Sequence, residues 1–556
     1  MTRDEAARAG GSRARDAALL VLLATAALLP SLFAPFFADD YLHVEVAARW
    51  RDALTRGWIL PIDLAGTWWT PRGLSVEYFR PLVVVSFAVD HVLYGAHAVG
   101  YHLTNLVLHA SATLVAWAIA RRVLGAGFGA WAAAALFAIH PCHVQGVAWI
   151  SGRTDVLAGL LYMSALLCYL ESRERPGARG EKPLVALSLF VFFSALLAKE
   201  MALSFPAVLL AHNLLRPQGE SLGRRLVAPG LAVVVIALYF GLRVTVLGGF
   251  HTPPSPFAFH LGDPGLVFHL LTAPLVYLGD LTLFVPGDPM VTVPFWKAHL
   301  ALFALFAAAA IASLSSSVRR AAGGWTLAWA LGFVAVTLVP VAMLPVGEHF
   351  LYLPSLGYCI LVGSRLPRSA ARLDARERRG LAIVGGLVLV FCIGRTVVLD
   401  GVADASRRTT EQAAAWLDRS PDAKLLIVAD LPAGASLAFA LGLRFARQGR
   451  DTDVEILSIL PALTTQGARP SLVRVTRPDR VELRRNDGFL GSYIERALSG
   501  SRTSFEAGET FERHGHTVTV LDAPGGQLHA FEARLTDPAH TLVLGESEQG
   551  LVPLLP

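Results

Sequence analysis

The sequence predicts an α-helical protein that crosses the membrane many times and carries a soluble α/β domain at its carboxyl end. Three observations predict this fold class. Of the 556 residues, 54% are hydrophobic and only 16% are charged, a balance that excludes an ordinary soluble domain. Apolar runs of bilayer-spanning length recur from about Ala17 to about Leu399. From Asp400 onward the sequence is polar, with short alternating segments typical of strands.

Arginine-rich loops predict how the spans are oriented. Short loops rich in Lys and Arg stay in the cytoplasm, and the amino-terminal tail, residues 1–16, is the first of these. With the basic loops inside, about eleven crossings follow, and the carboxyl terminus lies outside. The predicted spans are residues 17–37, 102–120, 130–147, 156–170, 184–197, 201–215, 226–247, 297–316, 325–345, 351–363 and 381–399.

Two apolar segments depart from the regular pattern. Residues 17–37 follow a basic tail as a signal peptide would, but their apolar run is longer than the roughly 7 to 15 residues of a cleaved signal, so we expect a retained anchor. Residues 266–285 are apolar enough to span, yet no Lys or Arg occurs in residues 244–296. A crossing there would leave Arg319 and Arg320 outside, so we expect a helix that lies at the outer surface or re-enters from it.

Two adjacent aspartates, Asp39 and Asp40, follow the first span directly. They emerge at the outer membrane face, where an unpaired carboxylate near lipid is costly and usually functional. The alternative is that two acids only mark the end of the span. The first outer loop, residues 38–100, is aromatic and amphipathic, which predicts short helices lying on the membrane.

Charged and imidazole side chains then occur where the interior of a helix bundle should have none. Most of them lie at the outer end of a predicted span, which predicts a pocket that opens outward and is lined by cations. These residues are His102, His109, His140, His143, Arg153, Asp155, Lys199, Glu200, Glu348 and His349.

Four sequence blocks carry a family resemblance. They begin YFRPLVVVSF, ALFAIHPCHVQGVAWISGRTD, LLAKEMALSF and VPVAMLPVGEHFLYLPS. In this order they resemble the transmembrane-and-tetratricopeptide O-mannosyltransferase family and its bacterial relatives, which are glycosyltransferases of the GT-C fold that use lipid-phosphate sugars as donors. The resemblance implies that residues 17–399 form a GT-C-like catalytic domain.

The resemblance also implies that the acidic pair carries the catalytic carboxylate. An acceptor hydroxyl must lose its proton as it attacks the anomeric carbon, and we favour Asp39 as the base, with Asp40 orienting the acceptor or a metal. Polyprenyl phosphate leaves with growing negative charge, so cations should surround it. The implied reaction is a single inverting transfer of a mannose-like hexose to an acceptor hydroxyl on the outer face.

Four side chains are candidates for binding the donor phosphate. Arg153, with Asp155 close by in sequence, fits a phosphate contact held by a carboxylate, or a plain interfacial ion pair. Lys199 either meets the same phosphate or extends to lipid headgroups. Arg80 lies in a motif that the family pattern places near the cavity, and its alternative role is to pack a loop helix onto headgroups. The fourth candidate is His349.

Two positions depart from the family pattern. Gln145 stands where the HPxHxE motif usually has Glu, which weakens a metal or acceptor role for that position. His140 and His143 of the motif are too few for a metal site, which needs three or four ligands, so a divalent metal stays an open alternative. His349 stands where relatives commonly have Arg. An imidazole is only partly charged near neutrality. Either the other cations bind the donor phosphate without its help, or donor binding weakens as the pH rises.

Residues 400–556 are expected to form a globular α/β domain outside the membrane. Residues 424–432 and 452–460 predict buried strands, and residues 435–449 an amphipathic helix between them. Four later segments predict short strands, namely 471–478, 480–486, 516–522 and 528–535. No repeat of about 34 residues occurs, so the tetratricopeptide array is absent and a protein acceptor is in doubt beside a glycan. We expect the domain to dock an acceptor or to act as a structural lid.

Two other function classes stay as alternatives. A transporter also buries charges among helices, but we find no inverted duplication, and the polar groups cluster at span ends rather than at the midplane. A catalytically silent protein of the same fold is the second alternative.

The net charge of +5 reflects the basic loops, so we do not expect nucleic acid as a partner. The expected partners are the lipid bilayer, a polyprenyl-phosphate-linked sugar and a protein or glycan acceptor, in a bacterial inner membrane with the outer domain in the periplasm.

Overall fold

The structure is a computed structural model in which an apolar helical part is followed by a β-rich carboxyl-terminal part. It describes residues 3–55, 59–63, 67–70, 75–175, 179–216, 220–249, 259, 261–263, 265–283, 324–432, 439–447, 452–460, 471–490, 504–513, 515–547 and 550–555.

Helices joined by short turns make up the first part. In chain order the α-helices are α1 (Arg3–Leu28), α2 (Asp40–Ala48), α3 (Trp50–Thr55), α4 (Pro81–Tyr94), α5 (Ala98–Leu124), α6 (Phe128–Ile139), α7 (Val144–Val147), α8 (Arg153–Arg173), α9 (Glu181–Leu196), α10 (Phe205–Leu215), α11 (Leu222–Leu247), α12 (Leu266–Leu283), α13 (Gly324–Leu338), α14 (Ser355–Gly363) and α15 (Ala375–Arg419), and the carboxyl-terminal part adds α16 (Phe439–Ala446).

Among the described residues, five helical segments are long and apolar enough to cross a membrane. They are Arg13–Phe33, Ala98–Leu124, Ile150–Arg173, Leu222–Leu247 and Ala375–Arg419. Shorter apolar helices accompany them at Pro81–Tyr94, Phe128–Ile139, Glu200–Leu215, Leu266–Thr282 and Trp325–Val341. The chain is therefore an integral membrane protein. The count of about eleven crossings stays a prediction, and the predicted span 297–316 lies outside the described residues.

One predicted span, residues 130–147, is interrupted in the structure. Helix α6 ends at Ile139 because Pro141 holds the preceding residue, His140, in an extended conformation with φ −68° and ψ 127°. The Nδ1 atom of His140 then accepts the backbone N–H of Cys142 at 3.2 Å and starts a new turn. The polar residues that follow are thus placed on a bend rather than on a straight helix.

The first outer loop contains the expected short helices α2 and α3, and the longer α4. It also contains an antiparallel pair of strands, β1 (Ile59–Asp63) and β2 (Ser75–Phe79), which the sequence analysis did not predict. The prediction of helices alone was therefore incomplete for this loop.

Helix α15 is 45 residues long and connects the two parts of the molecule. Its amino terminus forms a capping box, in which the side chains of Asp374 and Glu377 each accept the other residue's backbone N–H. The helix continues without a break through residue 400, where the sequence predicts the domain boundary, and ends at Arg419. A continuous helix thus carries the carboxyl-terminal part.

Two main sheets form the carboxyl-terminal part. Strand β3 (Leu425–Ala429) lies between β12 (Thr541–Ser547) and β5 (Asp453–Ile456) and is parallel to both, and β13 (Gly550–Pro553) pairs antiparallel with β12. The second sheet is antiparallel and orders its strands as β7 (Leu472–Arg477), β8 (Arg480–Arg484), β11 (Ala530–Leu535), β10 (His516–Asp522) and β9 (Thr510–Arg513). A short parallel pair joins β4 (Leu431–Pro432) to β6 (Ile459–Leu460). The predicted strands, and a helix between the first two, are confirmed.

A short segment of the first outer loop, residues 67–70, is inserted into this carboxyl-terminal part. Trp68 is completely buried there. Its ring packs against Phe511 and Phe531, with ring centroids 5.1 and 5.0 Å away, and its Nε1 donates a hydrogen bond to the carbonyl oxygen of Leu457 at 3.0 Å. The outer loop is therefore tied to the carboxyl-terminal domain by a buried anchor.

Replacing this anchor should destabilise the carboxyl-terminal domain. Trp68→Ala removes a buried ring and leaves the Leu457 carbonyl without its donor, so we expect a loss of about 3 to 5 kcal/mol in the free energy of unfolding. The measurement is limited proteolysis and thermal unfolding of the purified full chain. Trp50→Ala, on the same loop and only half-buried, is the matched control. Equal protease resistance of both variants would contradict the inserted position of Trp68.

Candidate functional site

The acidic pair lies in a turn between α1 and α2. Before this turn, the carbonyl oxygen of Ala34 accepts a hydrogen bond from His102 Nε2 at 3.1 Å, which fixes the segment to α5. Ala38 then adopts a left-handed conformation with φ 50°, which is uncommon for a residue other than glycine. The chain reverses there, so that Asp39 precedes α2 and Asp40 is its first residue. Backbone strain of this kind is often found at functional sites.

Asp40 is completely buried, and both of its carboxylate oxygens accept hydrogen bonds. Oδ1 accepts the backbone N–H of Ser151 at 2.8 Å and also its hydroxyl, while Oδ2 accepts the backbone N–H of Phe37 at 3.1 Å. Burial raises the pKa of Asp40 to about 8, the charge of Asp39 adds to the rise, and the bonds from Ser151 and Phe37 oppose it. Asp40 is therefore held in one orientation by its neighbours.

Asp39 has a more open environment. Its side chain is half-buried, and its Oδ1 accepts no hydrogen bond from a residue that the structure describes. Burial raises the pKa of Asp39 to about 6, against the opposing effects of the Ser151 hydroxyl and of the charges on Arg80 and Lys199. A carboxylate with an unoccupied oxygen and a pKa near neutrality is suited to accept a proton.

Two cations, Arg80 and Lys199, act on the charge of Asp39, and Arg243 lies beside Arg80 at Glu200. Lys199 Nζ donates to Asp155 Oδ2 at 2.6 Å. Arg80 and Arg243 approach the two oxygens of a single carboxylate, Glu200, at 3.3 and 3.7 Å. Because two guanidinium groups share one carboxylate, positive charge remains for a further anion. The sequence analysis missed Arg243, although it is the last basic residue before the long stretch that lacks Lys and Arg.

Arg153 lies deeper than the other cations and is completely buried. Its guanidinium forms an ion pair with Asp90 at 2.5 Å, and its Nε donates to Asn105 Oδ1 at 2.7 Å. The expected partnership with Asp155 is wrong, because Asp155 binds Lys199 instead. These contacts join α4, α5 and α8, and they favour an anchoring role for Arg153 over a phosphate contact.

Asn105 extends this anchor towards the acidic pair. Its Nδ2 donates to the carbonyl oxygens of Val147 and Ile150 at 3.1 and 3.2 Å, which fixes the turn that carries Ser151. Ser151 in turn binds Asp40. A continuous set of buried hydrogen bonds therefore connects Arg153 to Asp40. The sequence analysis missed both Asn105 and Ser151, which no residue pattern marks apart from their positions near the motif.

The two departures from the family pattern are in contact with each other. His349 donates from both its Nδ1 and its backbone N–H to Gln145 Oε1, at 2.9 and 3.0 Å. Burial lowers the pKa of His349 to about 4, and the charges of Lys199 and Arg80 act in the same direction. The imidazole is therefore neutral near pH 7, which favours the alternative that other cations hold the donor phosphate.

His109 and His140 use both ring nitrogens within the protein, and His143 uses its Nε2. His140 Nδ1 accepts from Cys142, so its Nε2 donates to the carbonyl oxygen of Leu281 at 3.1 Å. The rings of His109 and His143 bind Tyr352 and a serine hydroxyl, at 3.0 and 2.8 Å. Across the described ranges, no group of three or more His, Cys, Asp or Glu side chains is placed to hold a metal ion. His140 and His143 are thus parts of the helix packing.

Known proteins with similar sequences support the family resemblance. No family model matches the chain. Protein O-mannosyl-transferase TMTC3 from Mus musculus is 26% identical over 388 residues, which cover 63% of this chain and 42% of that protein. Protein O-mannosyl-transferase Tmtc1 from Drosophila melanogaster is 33% identical over 198 residues, which cover 36% of this chain and 22% of that protein. The chain is similar to the protein O-mannosyl-transferases. It spans less than half the length of these relatives.

A comparison with solved structures gives matches of low similarity. ArnT from Cupriavidus metallidurans bound to undecaprenyl phosphate matches with a TM-score of 0.43 and 14% identity, over 80% of this chain and 90% of that one. The oligosaccharyltransferase of Archaeoglobus fulgidus in complex with Zn and sulfate matches with a TM-score of 0.45 and 14% identity, over 79% of this chain and 62% of that one.

One further charged group of this O-mannosyl-transferase-like chain was missed by the sequence analysis. Arg395, in the apolar middle of α15, is buried and forms an ion pair with Glu348. Its Nη1 also lies 3.6 Å from Asp280 Oδ1 on α12. Glu348, expected in the pocket, therefore connects the turn that carries His349 to two helices. The contact also shows that α12, whose position was open, packs against α15 through its end near Asp280.

Removing the arginine of this group should be more harmful than removing the whole charge set. Arg395→Gln removes the guanidinium that lies beside two buried carboxylates, and breaking such a pair costs about 3 to 5 kcal/mol. We expect little folded protein in detergent-extracted membranes, measured as the monodisperse peak of a fluorescent fusion. The combined variant with Glu348→Gln and Asp280→Asn should regain part of that peak. An Arg395→Gln variant that accumulates like the wild type would contradict the ion pairs.

Proposed function

We propose that the chain is a membrane glycosyltransferase that moves a mannose-like hexose from a polyprenyl-phosphate donor to an acceptor hydroxyl. The observation that carries the proposal is the acidic pair itself, in which Asp40 is fixed by three hydrogen bonds while Asp39 keeps an unoccupied oxygen beside clustered cations. The similarity to protein O-mannosyl-transferases supports the reaction class. We propose a bacterial inner-membrane location, a periplasmic active site and the GT-C fold on the same grounds.

The proposed reaction is a single displacement. Asp39 accepts the proton of the acceptor hydroxyl as the hydroxyl oxygen forms its bond to the anomeric carbon. The bond from that carbon to the phosphate oxygen breaks at the same time, and the polyprenyl phosphate takes the electron pair, so the configuration at the anomeric carbon is inverted. Asp40 positions the turn and the base rather than taking the proton. The acceptor is either a protein or a glycan.

The leaving phosphate gains negative charge, and Arg80, Arg243 and Lys199 are the groups proposed to stabilise it. Arg80 and Arg243 are each one-seventh exposed and approach the same Glu200 carboxylate, so a phosphate oxygen can replace part of that contact. Lys199 stays paired with Asp155, and it is proposed to add a further positive charge beside the leaving phosphate. The charges of Lys199 and Arg80 act on His349, which is proposed to serve beside them as a neutral hydrogen-bonding group.

The carboxyl-terminal domain is proposed to hold the helix that begins with Asp40. Gly442 of α16 lies against the ring of Tyr41, where an added Cβ would be 3.0 Å from a ring carbon, so a larger residue would push α2 away. Arg444 forms an ion pair with Glu45 at 3.1 Å on the same helix. Docking of the acceptor by this domain is part of the same proposal.

A catalytically silent protein of this fold is the second candidate. It is favoured by the Gln145 and His349 contact, which contains no charge where relatives commonly have an acid and an arginine. Transfer of labelled sugar from synthetic polyprenyl-phosphate donors, scored in extracted glycans and in proteins, separates the two candidates. Transfer that depends on Asp39 supports the enzyme, and the labelled product identifies the acceptor class.

Removing the proposed base should abolish transfer without removing the protein. We expect Asp39→Asn to lower the transfer rate by about 10²- to 10⁴-fold while its level in membranes stays unchanged. The base must be ionised, so wild-type transfer should rise as the pH increases through about 6, the raised pKa of Asp39. Asp52→Asn, an exposed carboxylate in the same outer loop, is the matched control. Asp39→Asn with normal transfer would remove this carboxylate from the mechanism.

Weakening the proposed phosphate site should act mainly on the donor. We expect Arg243→Gln to raise the KM for the polyprenyl-phosphate sugar by about tenfold, the loss typical of one hydrogen bond to a charged group. Arg49→Gln, exposed on the outer loop, should leave the KM unchanged. Initial rates at varied donor and fixed acceptor concentration measure both. An unchanged donor KM in Arg243→Gln, or a rise only in the acceptor KM, would exclude Arg243 from the phosphate site.

A further inference from the structure

His43 lies one helical turn after Asp39, on α2, and the sequence analysis did not single it out. Its backbone N–H donates to the carbonyl oxygen of Asp39 at 3.3 Å. Side chains four positions apart lie on the same face of a helix, so His43 and Asp39 share one face. Tyr41 and Glu45, on the opposite face, contact the carboxyl-terminal domain. His43 is therefore on the side of α2 that belongs to the acidic site.

The ring of His43 packs against the membrane part. It stacks on the ring of Phe87 in α4, with the centroids 4.4 Å apart and the planes inclined by 18°. The guanidinium carbon of Arg153 also lies 4.3 Å from the centroid of the Phe87 ring. Burial and the charges of Arg80 and Arg153 lower the pKa of His43 to about 3. The imidazole is therefore neutral, with one N–H donor and one acceptor nitrogen.

Packing alone does not account for a histidine at this position. His43 is only 4% exposed, and its ring forms no hydrogen bond with another described residue. Its nitrogens differ from the Nδ1 atoms of His102 and His143, which have no partner either but are sealed from solvent. The stack on Phe87 needs only a flat ring, and phenylalanine would supply one without burying polar nitrogens. The two nitrogens of His43 are therefore available to a ligand.

The neighbouring groups of the acidic site are also open in part. Asp39 is half-buried, and the side chains of Arg80 and Glu200 keep 14% and 24% of their surface exposed. The charge of Arg80 acts on both Asp39 and His43, so these side chains lie close together. Asp40, by contrast, has both of its carboxylate oxygens occupied by the protein. A polar molecule beside Asp39 would therefore meet His43 rather than Asp40.

The spacing of His43 and Asp39 suits a sugar. One helical turn rises about 5 Å, which is comparable to the width of a hexose ring. The base can then reach the acceptor hydroxyl at the anomeric carbon while His43 reaches a hydroxyl on another carbon of the same ring. His43 is also near Arg80, where the donor phosphate is proposed to bind, so the hexose of the donor fits this position better than the acceptor does.

We infer that His43 binds a hydroxyl group of the transferred hexose and so helps to select that sugar. The inference rests on the proposed glycosyl transfer and names one residue that recognises its donor. The neutral imidazole donates to the hydroxyl oxygen or accepts from the hydroxyl group, and it takes no part in the proton transfer to Asp39.

The test compares transfer from polyprenyl-phosphate mannose with transfer from a series of analogues that each lack one hydroxyl of the hexose. The wild type should lose about tenfold in kcat/KM with one analogue, the loss typical of one hydrogen bond. His43→Phe keeps the stack on Phe87, so it should lose about the same factor with the intact donor and use that analogue as well as the wild type does. His43→Gln, which restores a hydrogen-bonding group, should regain part of the discrimination.

His97→Phe is the matched control, because His97 is exposed and lies at the start of α5. It should discriminate among the donors like the wild type. The thermal unfolding midpoint of each purified variant shows whether it folds, and His43→Leu provides the same comparison if His43→Phe does not.

The outcomes separate this inference from the proposed function. A His43→Phe variant that discriminates like the wild type, or that loses the same factor with every donor, would overturn the role of His43 while the transfer reaction stands. A wild type that transfers sugar from none of the donors would overturn the proposed function, and the role of His43 with it.

Discussion

The position of Asp40 depends on Ser151, which donates both its backbone N–H and its hydroxyl to one carboxylate oxygen. Ser151 keeps its place because Asn105 binds the carbonyl oxygens of the preceding turn, and Asn105 is oriented by Arg153, whose charge is balanced by Asp90. A buried charge without a partner is far more costly than a paired one, so these residues form one unit. Any displacement of Arg153 would therefore be passed on to Asp40 and to the turn that holds Asp39.

The acidic turn is also held from outside the membrane part. Trp68 fixes the middle of the outer loop in the carboxyl-terminal domain, and α16 of that domain lies against α2. Helix α2 thus contacts the buried hydrogen-bond network of Ser151 on one side and the carboxyl-terminal domain on the other. Helix α15 connects the membrane part to that domain as one continuous helix. The part of the outer loop that runs from the aspartates to Arg80 is held by both structures, which together set the distance from the proposed base to the proposed phosphate site.

The sequence predicted what composition and local pattern determine, and it missed what only folding brings together. Apolar runs indicated the membrane helices, and alternation indicated the strands from 424 to 535. Two charges beside an apolar run, together with the family resemblance, singled out Asp39 and Asp40, whose catalytic role stays a prediction. Partners could not be assigned in the same way, because Arg153 meets Asp90 across 63 positions and Arg395 meets Glu348 across 47. The aromatic outer loop was predicted to lie on the membrane, yet its Trp68 is buried in the carboxyl-terminal domain, because tryptophan suits a membrane surface and a buried core equally well.

Gln145 and His349, the two positions at which the sequence analysis expects departures from the family pattern, are in contact. An acid replaced alone would leave an arginine without its partner, and an arginine replaced alone would leave a buried acid. Here both are neutral, and the pair still satisfies its polar atoms, because Gln145 Oε1 accepts two hydrogen bonds from His349. Compared with a Glu and Arg pair, the Gln145 and His349 pair lacks one negative and one positive charge, so the net charge at these two positions is the same. A donor phosphate would therefore meet the same overall attraction, supplied by Arg80, Arg243 and Lys199 rather than by the position of His349.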